Sequence, residues 1–325
     1  MSQLVTIFGG SGFVGRYIAR RMAKAGWRVR VACRNPNEAM FVRTYGAVGQ
    51  VEPVFTNIRD DASVDAVLTG ADAVVNCVGV LAEAGKNTFD AVQAEGAARV
   101  ARLAAAAGIT RMVQISAIGA DKDADSQYAQ TKAEGEEGVL AHMPNALILR
   151  PSIVFGPEDE FFNRFASMSR LGPVLPVIGA NTRFQPVYVD DVAAAAEKGI
   201  TEGVSGVYEL GGPDVHSFRE LMAIMLDTVR RRRLVINIPF FMARIMAFGF
   251  GVLQFLTLGL VKAPVTKDQV INLGVDNVVS EDAKGLADLG IRPTSLEAVL
   301  PDYLWRFRPS GQYAAIKESA RNLRS

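Results

Sequence analysis

Three glycines in the first predicted strand-to-helix connection, Gly9, Gly12 and Gly15, have the spacing that binds a dinucleotide. In a GxxGxxG loop the first glycine permits a tight turn, the second lets the backbone approach a pyrophosphate, and the third lets helix and strand pack closely. The following helix offers free N–H groups and the positive end of its dipole to phosphates. A tight turn without a ligand is the alternative. The candidate binding residues of this loop are Gly9, Ser11, Gly12, Phe13, Val14 and Gly15.

Arg34 ends the second predicted strand, where dinucleotide folds use an acidic residue to hold the ribose 2′-hydroxyl. A guanidinium at this place suits a 2′-phosphate instead, because arginine forms paired, charge-assisted hydrogen bonds to phosphate. The sequence therefore favours NADP(H) over NAD(H) as the cofactor. A solvated surface arginine is the alternative.

Two further strand ends supply candidate cofactor contacts. Asn57 and Ile58 follow the third predicted strand, where the adenine ring would lie. Cys77, Val78 and Gly79 follow or end the fourth, and Gly79 lets the backbone pass close to the ribose and nicotinamide. Ordinary loop packing is the alternative for both groups.

Ser116, Tyr128 and Lys132 form a second constellation. Tyr128 and Lys132 are four residues apart and share one face of a predicted helix, and Ser116 ends the fifth predicted strand. A lysine beside a phenol lowers the phenol pKa and can bond the nicotinamide ribose. Such a phenol serves as general acid or base while the serine polarises a carbonyl. All three are candidate catalytic residues, and Tyr128 and Lys132 are also candidate cofactor contacts; a chance YxxxK pair is the alternative.

Alternating strands and helices must position these residues, and the first half of the chain shows that alternation. It is typical of βαβ units and predicts a doubly wound parallel Rossmann sheet of the α/β class. The predicted strands are 5–8, 29–33, 51–55, 73–77, 112–116 and 146–149. The predicted helices are 14–25, 37–45, 64–68, 89–106 and 128–142.

The pattern changes after about residue 150, where proline and glycine become frequent. This change predicts a dinucleotide-binding domain over residues 1–150 and a smaller C-terminal α/β lobe over residues 151–325. Helices are predicted in the lobe at 190–201, 218–230 and 295–307.

Composition excludes several classes of function. The chain has 325 residues with 35 Lys and Arg against 34 Asp and Glu, a net charge of +1 that disfavours nucleic-acid binding. Cys33 and Cys77 lie in separate predicted strands, and His142 and His216 are isolated, so no metal site is predicted. The first strand begins almost at Met1, which leaves no room for a signal or transit peptide and predicts a cytoplasmic chain.

The segment 230–261 has the composition of a membrane- or partner-facing element. Four consecutive arginines begin it, and residues 245–261 carry no charge. Seventeen uncharged residues are at the lower edge of membrane-spanning length, and Arg244 and the glycines argue against a full span. The pattern predicts an interfacial helix on a membrane surface or on membrane subunits. A buried helix of the lobe is the alternative.

Several motifs together resemble the short-chain dehydrogenase/reductase superfamily. These are GGSGFVG at 9–15, NCVG at 76–79 and YAQTK at 128–132. RPSIVFGPED at 150–159 and FQPVYVDDVA at 184–193 are similar to the extended and atypical branches of that superfamily. The resemblance implies that Pro151 and Ile153 lie in the segment that passes the nicotinamide, so both are candidate cofactor contacts.

Within the superfamily, VTIFGGSGFVGRYI at 5–18 and RPSIVFGPEDEFFNRF at 150–165 resemble the nucleotide-binding accessory subunits of respiratory complex I, an NADH:ubiquinone oxidoreductase. The resemblance implies tightly bound NADP(H) with a structural role, near the junction of the peripheral arm and the membrane. It also implies other subunits and the membrane surface as partners. For a bacterial chain, the expected location is peripheral, on the cytoplasmic face of the inner membrane.

Two other functions remain open. A free NADP-dependent reductase would use Ser116, Tyr128 and Lys132, and the retained triad favours it. Ser116 and Tyr128 are only twelve residues apart, which argues against a sugar-nucleotide substrate. A nucleotide-sensing regulator without turnover would need a dedicated protein partner. The apolar segment 230–261 favours the accessory subunit, since a free reductase does not need it.

Overall fold

The computed structural model describes residues 2–257, 265–309 and 311–313. Its strands are β1 (Leu4–Phe8), β2 (Arg28–Cys33), β3 (Val51–Phe55), β4 (Ala73–Asn76), β5 (Arg111–Ile115), β6 (Leu147–Pro151), β7 (Val154–Phe155), β8 (Val174–Ile178), β9 (Arg183–Phe184), β10 (Val187–Tyr188), β11 (Gly206–Leu210), β12 (His216–Ser217) and β13 (Leu234–Ile238). Its α-helices are α1 (Phe13–Lys24), α2 (Asp61–Leu68), α3 (Glu95–Ala106), α4 (Gln127–His142), α5 (Phe161–Met168), α6 (Val189–Thr201), α7 (Phe218–Thr228), α8 (Phe240–Leu256), α9 (Lys267–Asn272) and α10 (Leu296–Leu304).

A seven-stranded parallel sheet in the order β11-β6-β5-β4-β1-β2-β3 forms the centre of the first of two compact units. Both neighbours of β1, β2 on one side and β4 on the other, follow it in sequence, so strand order reverses at β1. Folds of this type bind ligands at the carboxyl ends of the strands beside that reversal. The predicted Rossmann sheet is confirmed, and β11 adds a strand to the six that the sequence predicted.

Helices on both faces of the sheet explain why its central strands are mostly apolar. β1 and β4 are buried along their whole length, as is usual in parallel sheets covered on both sides. Thr6 is the polar exception in β1, and its hydroxyl donates to the carbonyl oxygen of Val67 at 2.8 Å. The amphipathic helices α1 and α3 bury one face each, with the buried positions spaced three and four residues apart.

The chain crosses between the two units several times. The first unit contains the chain up to Ser152 together with Val189–Gly211 and Val279–Pro293. The second contains Ile153–Tyr188, Gly212–Val278 and the described residues from Thr294 onward. The boundary that composition predicts near residue 150 is only the first of these crossings. Residues 189–211 return to the first unit because α6 packs against α1 and β11 pairs with β6.

The second unit has its own core, in which aromatic and aliphatic side chains of α5, α7, α10 and the short strands pack together. Phe161 and Phe218 lie 5.4 Å apart between ring centroids. Tyr303 of α10 donates its hydroxyl to the buried carboxylate of Asp159 at 2.5 Å, which fastens that helix to the loop before α5. β8 and β13 form a two-stranded parallel ribbon within this unit.

Two predicted helices differ in detail from the structure. The predicted helix 37–45 is a 3-10 helix over Met40–Tyr45, preceded by turns. The predicted helix 89–106 begins with a π-helical turn, Asp90–Ala94, before α3. Single-sequence periodicity does not resolve these variants, since 3-10 and π turns differ from an α-helix by less than one residue per turn.

The apolar segment after the arginines forms α8. Its small residues Ala243 and Ala247 pack against Ile178 and Val270, while the larger Phe241 and Ile245 are 65% and 68% exposed. The alternative of a buried helix therefore holds only for a narrow alanine face. Within the part of the chain that the structure describes, no helix is both long and apolar enough to cross a membrane. Residues 258–261 of the predicted segment lie outside the described residues.

Candidate nucleotide-binding site

The loop between β1 and α1 requires glycine at two positions for reasons internal to the fold. Gly9 has φ +72°, the left-handed region in which glycine is unstrained, and donates its N–H to Ala32 at 2.9 Å. A Cβ at Gly15 would overlap the carbonyl oxygen of Gly9, so α1 can pack on the loop only with glycine there.

The internal requirement for glycine is weaker at Gly12. Its backbone is extended at φ −71° and ψ −178°, and a Cβ there would meet only the carbonyl oxygen of Gly9, at 3.1 Å. α1 begins directly after it, at Phe13, without a side-chain cap. The first N–H groups of a helix have no intrahelical partner, so the surface beside Gly12 is a cradle of polar hydrogens that a side chain would fill. Such a cradle fits a pyrophosphate.

Arg34 follows β2 at the edge of the same crevice, and its side chain is exposed. Among the described residues, no hydrogen bond or ion pair holds its guanidinium. Cys33 before it is buried, and burial raises the pKa of its thiol against hydrogen bonds from Ser11 and the backbone of Asn35. Through its contact with Ser11, the thiol connects the end of β2 to the glycine loop.

Arg16 is a second cation beside this loop, and no sequence motif identified it as a candidate binding residue. Its Nε donates to the carbonyl oxygen of Gly12 at 3.2 Å and one terminal nitrogen donates to that of Ser11 at 3.1 Å. The guanidinium lies 4.8 Å from the ring centroid of Phe41. Its position directly after Gly15, the third glycine of the loop, was the sequence signal that could have identified it.

Asn57 and Ile58 both have roles in the protein itself. The side-chain oxygen of Asn57 accepts the backbone N–H of Arg59 at 3.2 Å, and the backbone N–H of Asn57 donates to Ser63 Oγ at 2.9 Å. Ile58 is buried and lies against Gly96 of α3. Asn57 therefore shapes the turn after β3, and Ile58 belongs to the core of the first unit.

The end of β4 lies against the glycine loop. Cys77 donates its N–H to Phe8 at 2.9 Å, and a Cβ on Gly9 would lie 3.3 Å from both the carbonyl carbon of Cys77 and a methyl group of Val78. Asn76 fixes the turn by accepting the N–H of Val78 at 3.1 Å. Burial raises the pKa of the Cys77 thiol to about 12, so the thiol stays protonated at neutral pH.

Lys132 places a buried ammonium beside Gly79. Its Nζ donates to the carbonyl oxygen of Ile115 at 3.3 Å and lies 3.3 Å from where a Cβ on Gly79 would be. Burial lowers the pKa of Lys132 to about 8, and the nearby groups Glu136 and Cys77 oppose this shift only in part. No carboxylate of the described chain lies within ion-pair distance, so a ligand rich in oxygen would compensate this charge.

Tyr128 shares this face of α4. The ammonium of Lys132 lies 5.8 Å from the centroid of its ring, and Phe89 packs edge-on against the ring at 6.0 Å between centroids. The structure therefore brings Tyr128 and Lys132 together beside Gly79, as their spacing on the helix predicts.

Ser116 takes part in a different set of contacts. Its hydroxyl donates to the carboxylate of Glu136, and both residues are buried. Arg150 clamps the same carboxylate through bonds of 2.9 and 2.6 Å, which raise the pKa of its guanidinium, and it also lies 3.7 Å from Glu209. A hydroxyl that donates to a buried carboxylate is not available to polarise a carbonyl. Glu136 and Arg150 were missed in the sequence, where only their buried surroundings distinguish them from surface charges.

Gln93 was also missed. It is 2% exposed, and neither amide atom has a hydrogen-bond partner among the described residues. Its Oε1 lies 3.7 Å from the Cβ position of Gly79, and it occupies the π-helical turn, a geometry frequent at functional sites. A buried amide without partners costs about 1–3 kcal/mol, so its presence fits a bound polar group such as a ribose. The sequence signal was a polar residue at a helical position that shares one face with apolar Phe89 and Val100.

Pro151 and Ile153 fall in different units. Pro151 ends β6, is buried, and accepts the N–H of Ile118 at 3.1 Å. Ile153 packs against the core of the second unit and accepts the N–H of Val187 at 2.9 Å.

The sequence of the central sheet matches a known family. Residues 5–211 match the model described as the NAD dependent epimerase/dehydratase family. The chain therefore belongs to the NAD dependent epimerase/dehydratase family. A nicotinamide nucleotide is the cofactor class of that family, which agrees with the phosphate cradle and buried ammonium of this crevice.

Individual relatives define a narrower group of proteins within this family. The chain is 34% identical over 320 residues to NADH dehydrogenase (ubiquinone) 1 alpha subcomplex subunit 9, mitochondrial, of Arabidopsis thaliana, covering 95% of this chain and 79% of the relative. It is 30% identical over 238 residues to ceramide reductase of Caulobacter vibrioides, covering 73% and 74%. The expected resemblance to complex I accessory subunits is confirmed.

Solved structures support the fold. The dTDP-glucose 4,6-dehydratase DesIV of Streptomyces venezuelae, with NAD and TYD bound, superposes with a TM-score of 0.71 at 20% identity, covering 97% of this chain and 100% of that chain. At this identity the likeness shows the fold alone.

Proposed function

We propose that this chain is an NADP(H)-binding accessory subunit of a respiratory NADH:ubiquinone oxidoreductase, complex I, in which the nucleotide is a tightly held structural part. The observation that carries the proposal is the 34% identity to the plant subunit, which extends over 95% of the chain. Two features of the site support it: the open space beside Gly12 fits a phosphate, and the hydroxyl of Ser116, the candidate catalytic serine, is engaged by Glu136.

In this proposal, specific residues bind each part of the nucleotide. The loop from Gly9 to Gly15 and the start of α1 bind the pyrophosphate, and Arg34 binds the 2′-phosphate. Lys132 and the backbone at Gly79 bind the ribose on the nicotinamide side. A bound nicotinamide nucleotide supplies hydride-transfer chemistry, and the residues of this chain bind and orient it.

Selectivity for NADP(H) tests the role of Arg34. Arg34→Asp should remove a charge-assisted contact worth about 1.5–3 kcal/mol, and hence weaken NADPH binding by roughly 10- to 150-fold while favouring NADH. Titration of both nucleotides into nucleotide-free protein measures the change. Arg20→Asp, at an exposed position on the outer part of α1, is the matched charge control. Equal affinity of the native protein for both nucleotides would contradict the assignment.

A structural role for the nucleotide predicts that Tyr128→Phe has little effect. The variant keeps the ring contacts to Phe89 and Lys132 and removes only the hydroxyl. We expect unchanged nucleotide content, unchanged assembly and an NADH:quinone reductase rate close to that of the native complex, measured on isolated membranes. Loss of electron transfer with assembly and nucleotide content intact would assign Tyr128 a catalytic role.

A free reductase is the second candidate, and the similarity to ceramide reductase favours it. In that function Tyr128 and Lys132 would act on a bound carbonyl substrate, and Ser116 would have to exchange Glu136 for that substrate. A substrate-dependent oxidation of NADPH by the purified protein, lost in Tyr128→Phe, would support this candidate against the accessory subunit.

The proposed location is peripheral, on the cytoplasmic face of a bacterial inner membrane, in contact with membrane subunits or lipid. α8 supports this placement because its large apolar residues face outward while its alanines face the protein. A monomeric soluble protein would rarely expose such a patch.

Co-purification tests the proposal as a whole. The tagged chain is expressed from its own promoter, membranes are solubilised in mild detergent, and proteins and released nucleotide are identified by mass spectrometry. We expect core complex I subunits and NADP(H) in comparable amounts. A wholly soluble, monomeric chain absent from every membrane complex would reject the accessory subunit and favour the free reductase.

A further inference from the structure

The ribbon of β8 and β13 has an apolar outer face that the nucleotide site does not explain. Leu234 is paired with Val174, and Ile236 is paired with Pro176, so these four side chains share one face. All four are exposed, with Leu234 63% accessible. The alternate residues of β8, Leu175 and Val177, are buried in the core of the second unit. Leu171, three residues after the end of α5, is 88% exposed and precedes β8.

Four arginines lie at the amino ends of these two strands, and we call Arg170, Arg231, Arg232 and Arg233 the arginine cluster. Arg233 donates to the carbonyl oxygen of Ser169 at 2.7 Å, which joins the start of β13 to the approach to β8. Arg231 donates to the carbonyl oxygen of Phe307 at 2.9 Å. The parallel pairing of the strands therefore gathers cations from two distant parts of the sequence at one end of the ribbon.

The cluster is electrostatically unbalanced. Burial lowers the pKa of Arg231, and the positive charges of Arg233 and Arg170 lower it further. Among the described residues, no carboxylate forms an ion pair with any member of the cluster. Positive charges held together in this way attract an anion.

The joint chemistry of the two features identifies their ligand. A protein partner could cover the apolar face, and a soluble phosphate could bind the cations, but a phospholipid satisfies both at adjacent places. We propose that the ribbon face and the arginine cluster together bind anionic phospholipid at a bilayer surface, with head-group phosphates on the arginines and Leu171, Val174 and Leu234 in the interfacial layer. This inference rests on the membrane attachment in the proposed function, but not on membership of complex I.

The ribbon and α8 are connected by packing within the second unit. Ile178, at the end of β8, packs with Ala243 and Ala247 of α8, and Ile238 of β13 packs against the same cluster. In this proposal the anionic-lipid site adds residues 170–176, which precede or form β8, to the attachment surface predicted for the 230–261 segment.

Flotation with lipid vesicles tests the site in the full-length protein. The vesicles contain phosphatidylcholine alone or phosphatidylcholine mixed with phosphatidylglycerol. Arg170→Gln/Arg232→Gln removes two exposed guanidinium groups that make no hydrogen bond to the described residues. We expect its partition onto phosphatidylglycerol vesicles to fall about 30-fold, equivalent to roughly 1 kcal/mol for each arginine. The difference from native protein should shrink at high salt, which screens exposed charges.

Control variants separate this site from other causes. Arg20→Gln/Arg28→Gln makes the same change of charge at exposed positions in the first unit and should retain native binding. Leu171→Ser/Leu234→Ser should weaken binding to both kinds of vesicle. NADPH binding and melting temperature should remain native in all three variants, which excludes misfolding.

Two results would overturn the inference. One is native binding to phosphatidylglycerol vesicles by Arg170→Gln/Arg232→Gln. The other is failure of the native protein to bind any vesicle, which would assign the ribbon face to a protein partner. Failure of co-purification with complex I subunits, with the predicted vesicle binding intact, would instead reject the proposed complex and leave the lipid site standing.

Discussion

Gly12→Val is expected to give a folded protein that has lost its nucleotide. The backbone at Gly12 is extended, so valine can adopt it, and the only protein atom that its Cβ approaches is the carbonyl oxygen of Gly9, at 3.1 Å. The side chain would instead fill the cradle at the start of α1 and prevent close approach of the pyrophosphate.

The expected effect is large because a tight ligand stabilises only the folded state. A ligand at about 1,000 times its Kd contributes roughly 4 kcal/mol. At roughly 2–4 °C per kcal/mol, its loss should lower the melting temperature by about 10 °C. Nucleotide released from denatured protein, measured by chromatography, should fall from near one equivalent to a small fraction. The melting temperature of native protein stripped of nucleotide should equal that of the variant.

Two other glycines provide controls. Gly172→Val adds the same side chain at a position where a Cβ meets nothing within 4 Å, and it should retain both nucleotide and stability. Gly15→Ala should fail to fold correctly, because its Cβ would overlap the backbone of the loop. Full nucleotide content in Gly12→Val would show that the cradle does not hold the pyrophosphate.

Lys132→Met is expected to stabilise the nucleotide-free protein and weaken nucleotide binding. Burial lowers the pKa of Lys132 from its ordinary 10.5 to about 8. At about 1.4 kcal/mol per pH unit, this corresponds to a cost of roughly 3 kcal/mol for burying the ammonium at pH 7. Methionine has a similar length and no charge. The carbonyl oxygen of Ile115 stays hydrogen-bonded in the variant, since Gln114 also donates to it, at 3.0 Å.

The pH dependence gives the prediction a distinctive signature. Below about pH 8 Lys132 is protonated in both the folded and the unfolded state, so the burial penalty is fully present. Between about pH 8 and 10.5 the unfolded state binds the extra proton, so the free energy of unfolding contributed by Lys132 rises with pH. The advantage of Lys132→Met should therefore be greatest near pH 7 and should disappear by about pH 10.5.

Urea unfolding of the nucleotide-free proteins at pH 7 and pH 10 measures this difference. Lys24→Met, at an exposed position in the last turn of α1, is the control and should show no pH-dependent gain. Titration with NADPH at pH 7 should show weaker binding to Lys132→Met, because the nucleotide loses the ammonium as a contact. A variant less stable than the native protein at pH 7 would mean that interactions with Glu136 outweigh the burial of Lys132.

The parts of the site that follow from local pattern could be predicted from the sequence. The glycine loop is set by a strand, a turn and a helix that are contiguous, and Tyr128 and Lys132 lie on one helix face by their spacing alone. Arg34 is placed by the end of β2. These features depend on a few neighbouring residues, so a single sequence contains the information.

The parts that depend on contacts across the sheet could not be predicted. The sequence predicts Ser116 as a catalytic serine, but in the structure its hydroxyl donates a hydrogen bond to Glu136, twenty residues later. Arg150 reads as a strand residue until its side chain is seen to hold that carboxylate. The orphaned amide of Gln93 depends on the π-helical turn that carries it, which periodicity does not reveal.

The same limit applies to the boundary between the two units. Proline and glycine frequency marks the point where the chain first leaves the sheet, near residue 150. The same frequencies do not predict that the chain later returns to the sheet, because β11 is a short strand of ordinary composition. It joins the sheet only by pairing with β6.

Return of the chain to its first unit has a consequence for synthesis on the ribosome. A nascent chain that has emerged only to residue 152 contains β6 but lacks its partner β11, so an unpaired apolar strand edge is exposed. α6, whose Gly199 lies against Leu147 and Val113, is also still missing. The first unit is therefore incomplete until its last segment, Val279–Pro293, has been translated. Premature termination between these points should produce an aggregation-prone fragment rather than a small functional Rossmann domain.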